Sequence, residues 1–92
     1  MIRSFAHKGL EQFFREGSKA GIQPAHAKRL RMILMLLNRA KSPEAMSFAG
    51  SHLHRLAGHL EGHWSVRVNG PWRITFRFEG QDAVQVNYAQ YH

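Results

Sequence analysis

The chain has 92 residues, 43% of them hydrophobic and 21% charged, with no cysteine. It is expected to fold as one small domain, residues 1-92, held by packing alone, and the composition excludes a disordered chain or a disulfide scaffold. Thirteen Lys and Arg against six Asp and Glu leave a net charge of +7, which points to a polyanionic partner, nucleic acid ahead of anionic membrane.

The opening MIRSFA alternates in part and predicts a first short strand. It has neither the apolar segment nor the small-residue cleavage site of a secretory leader, and the apolar run Met32 to Leu37 is too short to cross a bilayer, so the expected location is cytoplasmic. Leu10, Phe13 and Phe14 then fall at the i, i+3, i+4 spacing of one helix face, with Gly17 and Gly21 as stop signals. Pro24 suits the first turn of a second helix. From Ala25 to Lys41, Leu30, Ile33, Leu34 and Leu37 form a stripe that Met35 and Leu36 widen, while Lys28, Arg29, Arg31 and Arg39 lie off it toward solvent. SPEAMSFAGS reads as a connecting loop.

After Ser51 the hydrophobic period changes from helical to two. HLHRL alternates and predicts a strand that sets His52 and His54 on one face. Trp64, Val66 and Val68 alternate with Ser65, Arg67 and Asn69, and Asn69-Gly70 marks a hairpin turn. Trp72, Ile74, Phe76 and Phe78 alternate with Arg73, Thr75, Arg77 and Glu79. A turn at Gly80-Gln81-Asp82 leads to Val84, Val86 and Tyr88 on the apolar face. The fold class is therefore α+β, an antiparallel β-sheet with two N-terminal helices packed on one face. The other face carries Arg67, Arg73, Thr75, Arg77, Gln85 and Asn87, a cationic, amide-rich platform of a size to take RNA or DNA.

Seven dispersed histidines supply groups that exchange protons near neutral pH. Cleaving RNA needs a base for the ribose 2′-hydroxyl, a cation for the charge on phosphorus and an acid for the leaving 5′-oxygen. The nucleophile is internal, so this chemistry requires no metal. A zinc site built from His52, His54, His59 and His63 is disfavoured, because Gly58 and Gly62 work against the helix that would align the last two, and no cysteine contributes. No G-x-S-x-G or phosphate-cradling glycine motif is present. No cofactor is expected.

Leu53-His54, the WSV at Trp64 to Val66, the WRITFRFE at Trp72 to Glu79 and the closing Y-x-x-Y-H at Tyr88 to His92 resemble the HigB toxins, the host-inhibition family in the RelE-like superfamily of type II toxin–antitoxin systems. The likeness extends to IRSFAHKGLEQFF and so spans nearly the whole chain. It implies a RelE-like fold and a ribosome-dependent mRNA endonuclease that inhibits translation. It also implies inactivation by a HigA-type helix-turn-helix antitoxin and repression of operator DNA through that antitoxin. Position by position, the family's catalytic residues fall on His54, Arg73, Tyr91 and His92. Arg67, Arg77, Lys28, Arg29 and Arg31 are then expected to hold ribosomal RNA. The family's closing Asp is Gln90 here, which can orient a histidine but carries no charge. Arg55 and Ala57 replace the usual Pro and Lys, and His59 stands where an acid is common. Two other readings fit the same residues: a non-catalytic module that occupies the ribosome, and an antitoxin-binding co-repressor that has lost nuclease activity.

Overall fold

The computed structural model describes residues 1–91. It contains helices α1 (Lys8–Glu16) and α2 (Ala27–Arg39) and strands β1 (His54–Arg55), β2 (Trp64–Asn69), β3 (Trp72–Glu79) and β4 (Asp82–Gln90). Short 3-10 turns lie at Pro24–His26, Pro43–Met46 and Gly58–Leu60. The strands form one antiparallel sheet in the order β1-β2-β3-β4, and the two helices cover one of its faces, as expected.

Helix α1 begins where the His7 imidazole Nδ1 accepts the backbone N–H of Leu10 at 2.9 Å, a ring nitrogen in the place usually taken by a hydroxyl or carboxylate. It ends at Gly17, whose φ of 77° lets its N–H reach back to the Phe13 carbonyl at 2.9 Å. Gly21 has a different role from the stop signal expected of it. A Cβ placed on Gly21 would lie 2.5 Å from the Gly9 Cα, so the two backbones touch and neither position has room for a side chain.

The α2 stripe of Leu30, Ile33, Leu34 and Leu37 is buried against Leu10, Val66, Ile74, Phe76 and Val86. Truncating one of these large aliphatic side chains is worth about 2–5 kcal/mol. Met35 and Leu36 do not widen the stripe as expected. They are 51% and 36% exposed, because at 100° per residue they fall roughly a third of a turn or more to its two sides. The expected connecting loop also differs, since its turn Pro43–Met46 drives Met46 fully into the core.

The opening segment is extended but makes only two isolated parallel bridges, Ile2 to Ala83 and Phe5 to Val86, where a strand was expected. A bulge in β4 interrupts its ladder. Thr75 pairs with Asn87 and Arg77 with Val84, so Gln85 and Val86 together oppose Phe76, and Gln85 takes a φ of 53°. The Gln85 N–H turns to the Ser4 hydroxyl at 2.9 Å. Directly opposed residues share a face, so the extra residue moves Val84 to the side of Arg77 and Ala83 to the side of Phe78. Simple alternation had placed Val84 with Val86 and Tyr88. The segment around Ile2 and Phe5 still shields the β4 edge, which an open ladder would leave free for another chain.

Candidate functional site

The helix-free face of the sheet can be read from its register. His54 lies opposite Ser65, Ser65 opposite Thr75 and Thr75 opposite Asn87, so one transverse row joins all four strands. The adjacent row sets Arg67 opposite Arg73 and Arg73 opposite Ala89. This is not the level platform that alternation implied. Ser65 and Thr75 are buried, while Arg67, Arg73 and Arg77 are half-buried and His54 is exposed. Two small side chains in this row are thus covered by their neighbours, and the guanidinium groups and the imidazole form the accessible part of the face.

β1 is shorter than HLHRL suggested. Only His54 and Arg55 pair with β2, and His52 lies outside the strand with a φ of 48°, so the two histidines do not share a strand face. Such a backbone costs a β-carbon-bearing residue on the order of 1–3 kcal/mol. His54 Nδ1 sits 2.9 Å from the His52 carbonyl oxygen. A carbonyl only accepts, so the contact is a hydrogen bond when Nδ1 carries the proton, and in that tautomer Nε2 is the nitrogen with a lone pair. The approach to β1 is held by Ser51, whose carbonyl accepts the Arg67 N–H at 2.8 Å and whose hydroxyl accepts that of Phe48 at 3.2 Å.

Arg73 and Tyr91 meet at the turn between β2 and β3. The Arg73 Nη1 donates to the Gly70 carbonyl at 2.6 Å and the Trp72 carbonyl at 3.1 Å, and the Tyr91 N–H donates to the Pro71 carbonyl at 2.8 Å. The Tyr91 side chain is exposed beyond the end of β4. With strands about 4.8 Å apart and residues about 3.4 Å apart along a strand, His54 and Arg73 are separated by roughly 12 Å between Cα atoms. Two long side chains can close much of that span onto one phosphate. Gln90 pairs with Trp72 and so belongs to the opposite side of β4 from Ala89 and Arg73. His92 lies outside the described residues.

The remaining candidate cations do not join this face. Lys28 and Arg31 are exposed on α2, with the core and sheet between them and the helix-free face. Arg29 is half-buried and tied inward, because its Nη2 donates to the carbonyls of Gly50 at 3.0 Å and Arg67 at 3.1 Å. Arg77 shares Glu79 at 3.7 Å, whereas Arg67 and Arg73 have no carboxylate partner among the described residues. Arg55 lies over the Trp64 ring at 5.4 Å. Among the described residues no three His, Cys, Asp or Glu side chains are grouped to hold a metal ion, and no helix is long and apolar enough to cross a membrane.

Sequence reasoning assigned no role to His26, although it braces the end of β4. It is 6% exposed, and its Nδ1 lies 2.7 Å from the Tyr88 hydroxyl, which also accepts the Gln23 N–H at 3.4 Å. Trp72 stacks on Tyr88 at 4.6 Å and His7 meets it edge-on at 5.5 Å. Burial pushes the Tyr88 phenol above its usual value of 10.0, with the Gln23 N–H pulling more weakly the other way. Nothing in the local pattern of QPAHAK signals this role, because the pairing with Tyr88 joins positions 62 residues apart.

Residues 3–92 match the family model for the RelE-like toxin of the type II toxin–antitoxin system HigB. The chain is 38% identical over 92 residues to "Endoribonuclease HigB" of Proteus vulgaris, covering all of both sequences. Its fold is similar to that of a chain in the YoeB–YefM complex from Staphylococcus aureus, with a TM-score of 0.57 at 16% identity, covering 100% of this chain and 98% of that one. The chain belongs to the HigB-like family of RelE-like toxins of type II toxin–antitoxin systems.

Proposed function

We propose that this toxin is an endoribonuclease that cuts mRNA on the translating ribosome by intramolecular attack of a ribose 2′-hydroxyl. One observation carries the reading. A rung of two directly opposed arginines, Arg67 and Arg73, with no carboxylate partner among the described residues, lies next to an exposed His54 whose Nδ1 is directed at a carbonyl. Like charges facing each other across a ladder are destabilising. A phosphodiester seated between them removes that repulsion and receives bidentate contacts.

The chemistry is an in-line exchange. The 2′-hydroxyl loses its proton to a base and its oxygen bonds to phosphorus. The P–O5′ bond then breaks, and an acid protonates the departing oxygen, leaving a 2′,3′-cyclic phosphate and a 5′-hydroxyl. His54 works through Nε2. His92, next to Tyr91 in the chain, is assigned the complementary proton transfer. Arg73 stabilises the charge on the pentavalent phosphorus and Tyr91 positions the phosphate. A well-placed donor of this kind is worth about 3 kcal/mol. Arg67 and Arg77 hold the backbone, while Gln90 orients its neighbours without contributing charge. The partner in this reading is a HigA-type helix-turn-helix antitoxin, with operator DNA reached through it, and the working compartment is the cytoplasm, where translating ribosomes are.

Purified protein added to translating ribosomes should yield mRNA fragments with cyclic phosphate ends. His54→Ala should slow cutting by about 10²–10⁴-fold. Ribosome binding should weaken steeply as salt is raised. Arrest of translation with every message intact would instead identify a non-catalytic ribosome binder. Unimpaired growth on induction of the gene alone would favour a co-repressor.

A further inference from the structure

The outer surface of α2 is unlike the rest of the molecule. Between α1 and α2 an apolar groove of ≈ 220 Å³ is walled by Phe13, Phe14, Leu34 and Met35. Met35 and Arg31 also border a second hollow of ≈ 260 Å³, where Met32 and Leu36 lie among Lys28 and Arg39. The two hollows form one stripe along the helix, and its two most exposed apolar members are Met35 and Leu36.

Cations line this stripe without counter-charge. α2 contains no Asp or Glu, and among the described residues no carboxylate pairs with Lys28, Arg31 or Arg39. Arg31 is held at the groove margin by lying 5.4 Å over the Phe13 ring. Methionine side chains adapt to a partner's shape, and an apolar groove flanked by one sign of charge suits an amphipathic helix of the other sign. RNA is matched less well. It asks for open aromatic planes on which bases stack, whereas the floor of this stripe is thioether and leucine, its one buried ring, Phe13, lies beneath Arg31, and its guanidinium groups stand only at the margins.

We propose that the solvent face of α2 is the docking site for the antitoxin, filled by an amphipathic segment with apolar side chains at helical spacing and Asp or Glu on its flanks. This rests on the toxin–antitoxin reading and adds a surface to it, on the far side of the sheet from the proposed catalytic face. Lys28 and Arg31 then serve protein recognition, and RNA binding is left to the sheet arginines.

The test uses the full chain and the purified antitoxin encoded beside its gene, with affinity measured by titration calorimetry. Met35→Glu should weaken antitoxin binding by about 30-fold or more, while ribosome-dependent mRNA cutting and the melting temperature stay unchanged. Arg39→Glu should cause a smaller loss that shrinks as salt is added. If Met35→Glu lowers the melting temperature, Leu36→Glu and Arg39→Glu decide the matter. Antitoxin affinity within about 3-fold of wild type in the folded variants overturns the proposal. So does retained antitoxin affinity with lost binding to a single-stranded RNA oligonucleotide or to ribosomes, which would make α2 an RNA surface. If the wild-type protein cuts no message yet Met35→Glu still loses the antitoxin, the docking site stands and the nuclease reading fails alone.

Discussion

The two faces of the sheet are built on opposite terms. On the helix side, Val66, Ile74, Phe76 and Val86 are fully buried against Leu10, Leu30, Ile33, Leu34 and Leu37. Polar groups there are satisfied, as in the contact of His26 with Tyr88. On the other side, Arg67 stands opposite Arg73, Ser65 and Thr75 are buried in one row with His54 and Asn87, and His52, just before β1, keeps a left-handed backbone. One face collects the favourable terms, and the other carries a like-charge pair whose repulsion a bound anion would relieve. Like-charge contact on one surface of an otherwise consistent fold is what motivates the site proposed there.

This contrast can be broken or sharpened by substitution. The largest expected effect after that of His54 is on Arg73: Arg73→Ala should lower mRNA cutting by about 10²–10³-fold. Arg73→Lys should recover only part of it, because the ammonium lacks the planar fork. On the packed side, Gly9→Ala should cost about 1–3 kcal/mol of stability, measured by urea unfolding, since its Cβ would lie 2.8 Å from the Gly21 backbone. Arg67→Gln should move two quantities in opposite directions. Ribosome affinity should fall, while stability rises by about 0.2–1 kcal/mol as the cross-strand repulsion disappears; a loss of stability would show that the arginine pair carries no strain.

The smallest effect concerns pH. Because the Tyr88 phenol is raised by burial, its contribution to stability is complete below the ordinary value of 10.0. It declines as pH climbs through the higher folded-state value, since the unfolded chain ionises first. Melting temperatures of wild type and Tyr88→Phe should therefore diverge at neutral pH and converge above pH 10.

How much of this was legible differs from element to element. The spacing of Leu10 and Phe13, the α2 stripe and the alternation through Trp72 to Phe78 follow from helical and strand periodicity. Apolar side chains on those periods must share a face whatever surrounds them. The same periodicity misassigned Val84, because a bulge shifts alternation without leaving a residue signature. It also overextended β1, because HLHRL alternates whether or not a partner strand runs alongside all of it.

By itself, then, the chain's order of residues determined the α+β class, the cationic face and the likeness carried by His54, WRITFRFE and the closing tyrosines and histidine, all of them properties of local pattern. Only the tertiary structure decided that Arg67 opposes Arg73, that Tyr91 and Arg73 hang from one turn and that Lys28 and Arg31 lie away from them. It likewise decided that Gly9 and Gly21 touch and that His26 supports Tyr88. The reason is physical: register, bulges and backbone contact depend on which distant segments meet, and no window of neighbouring residues contains that information.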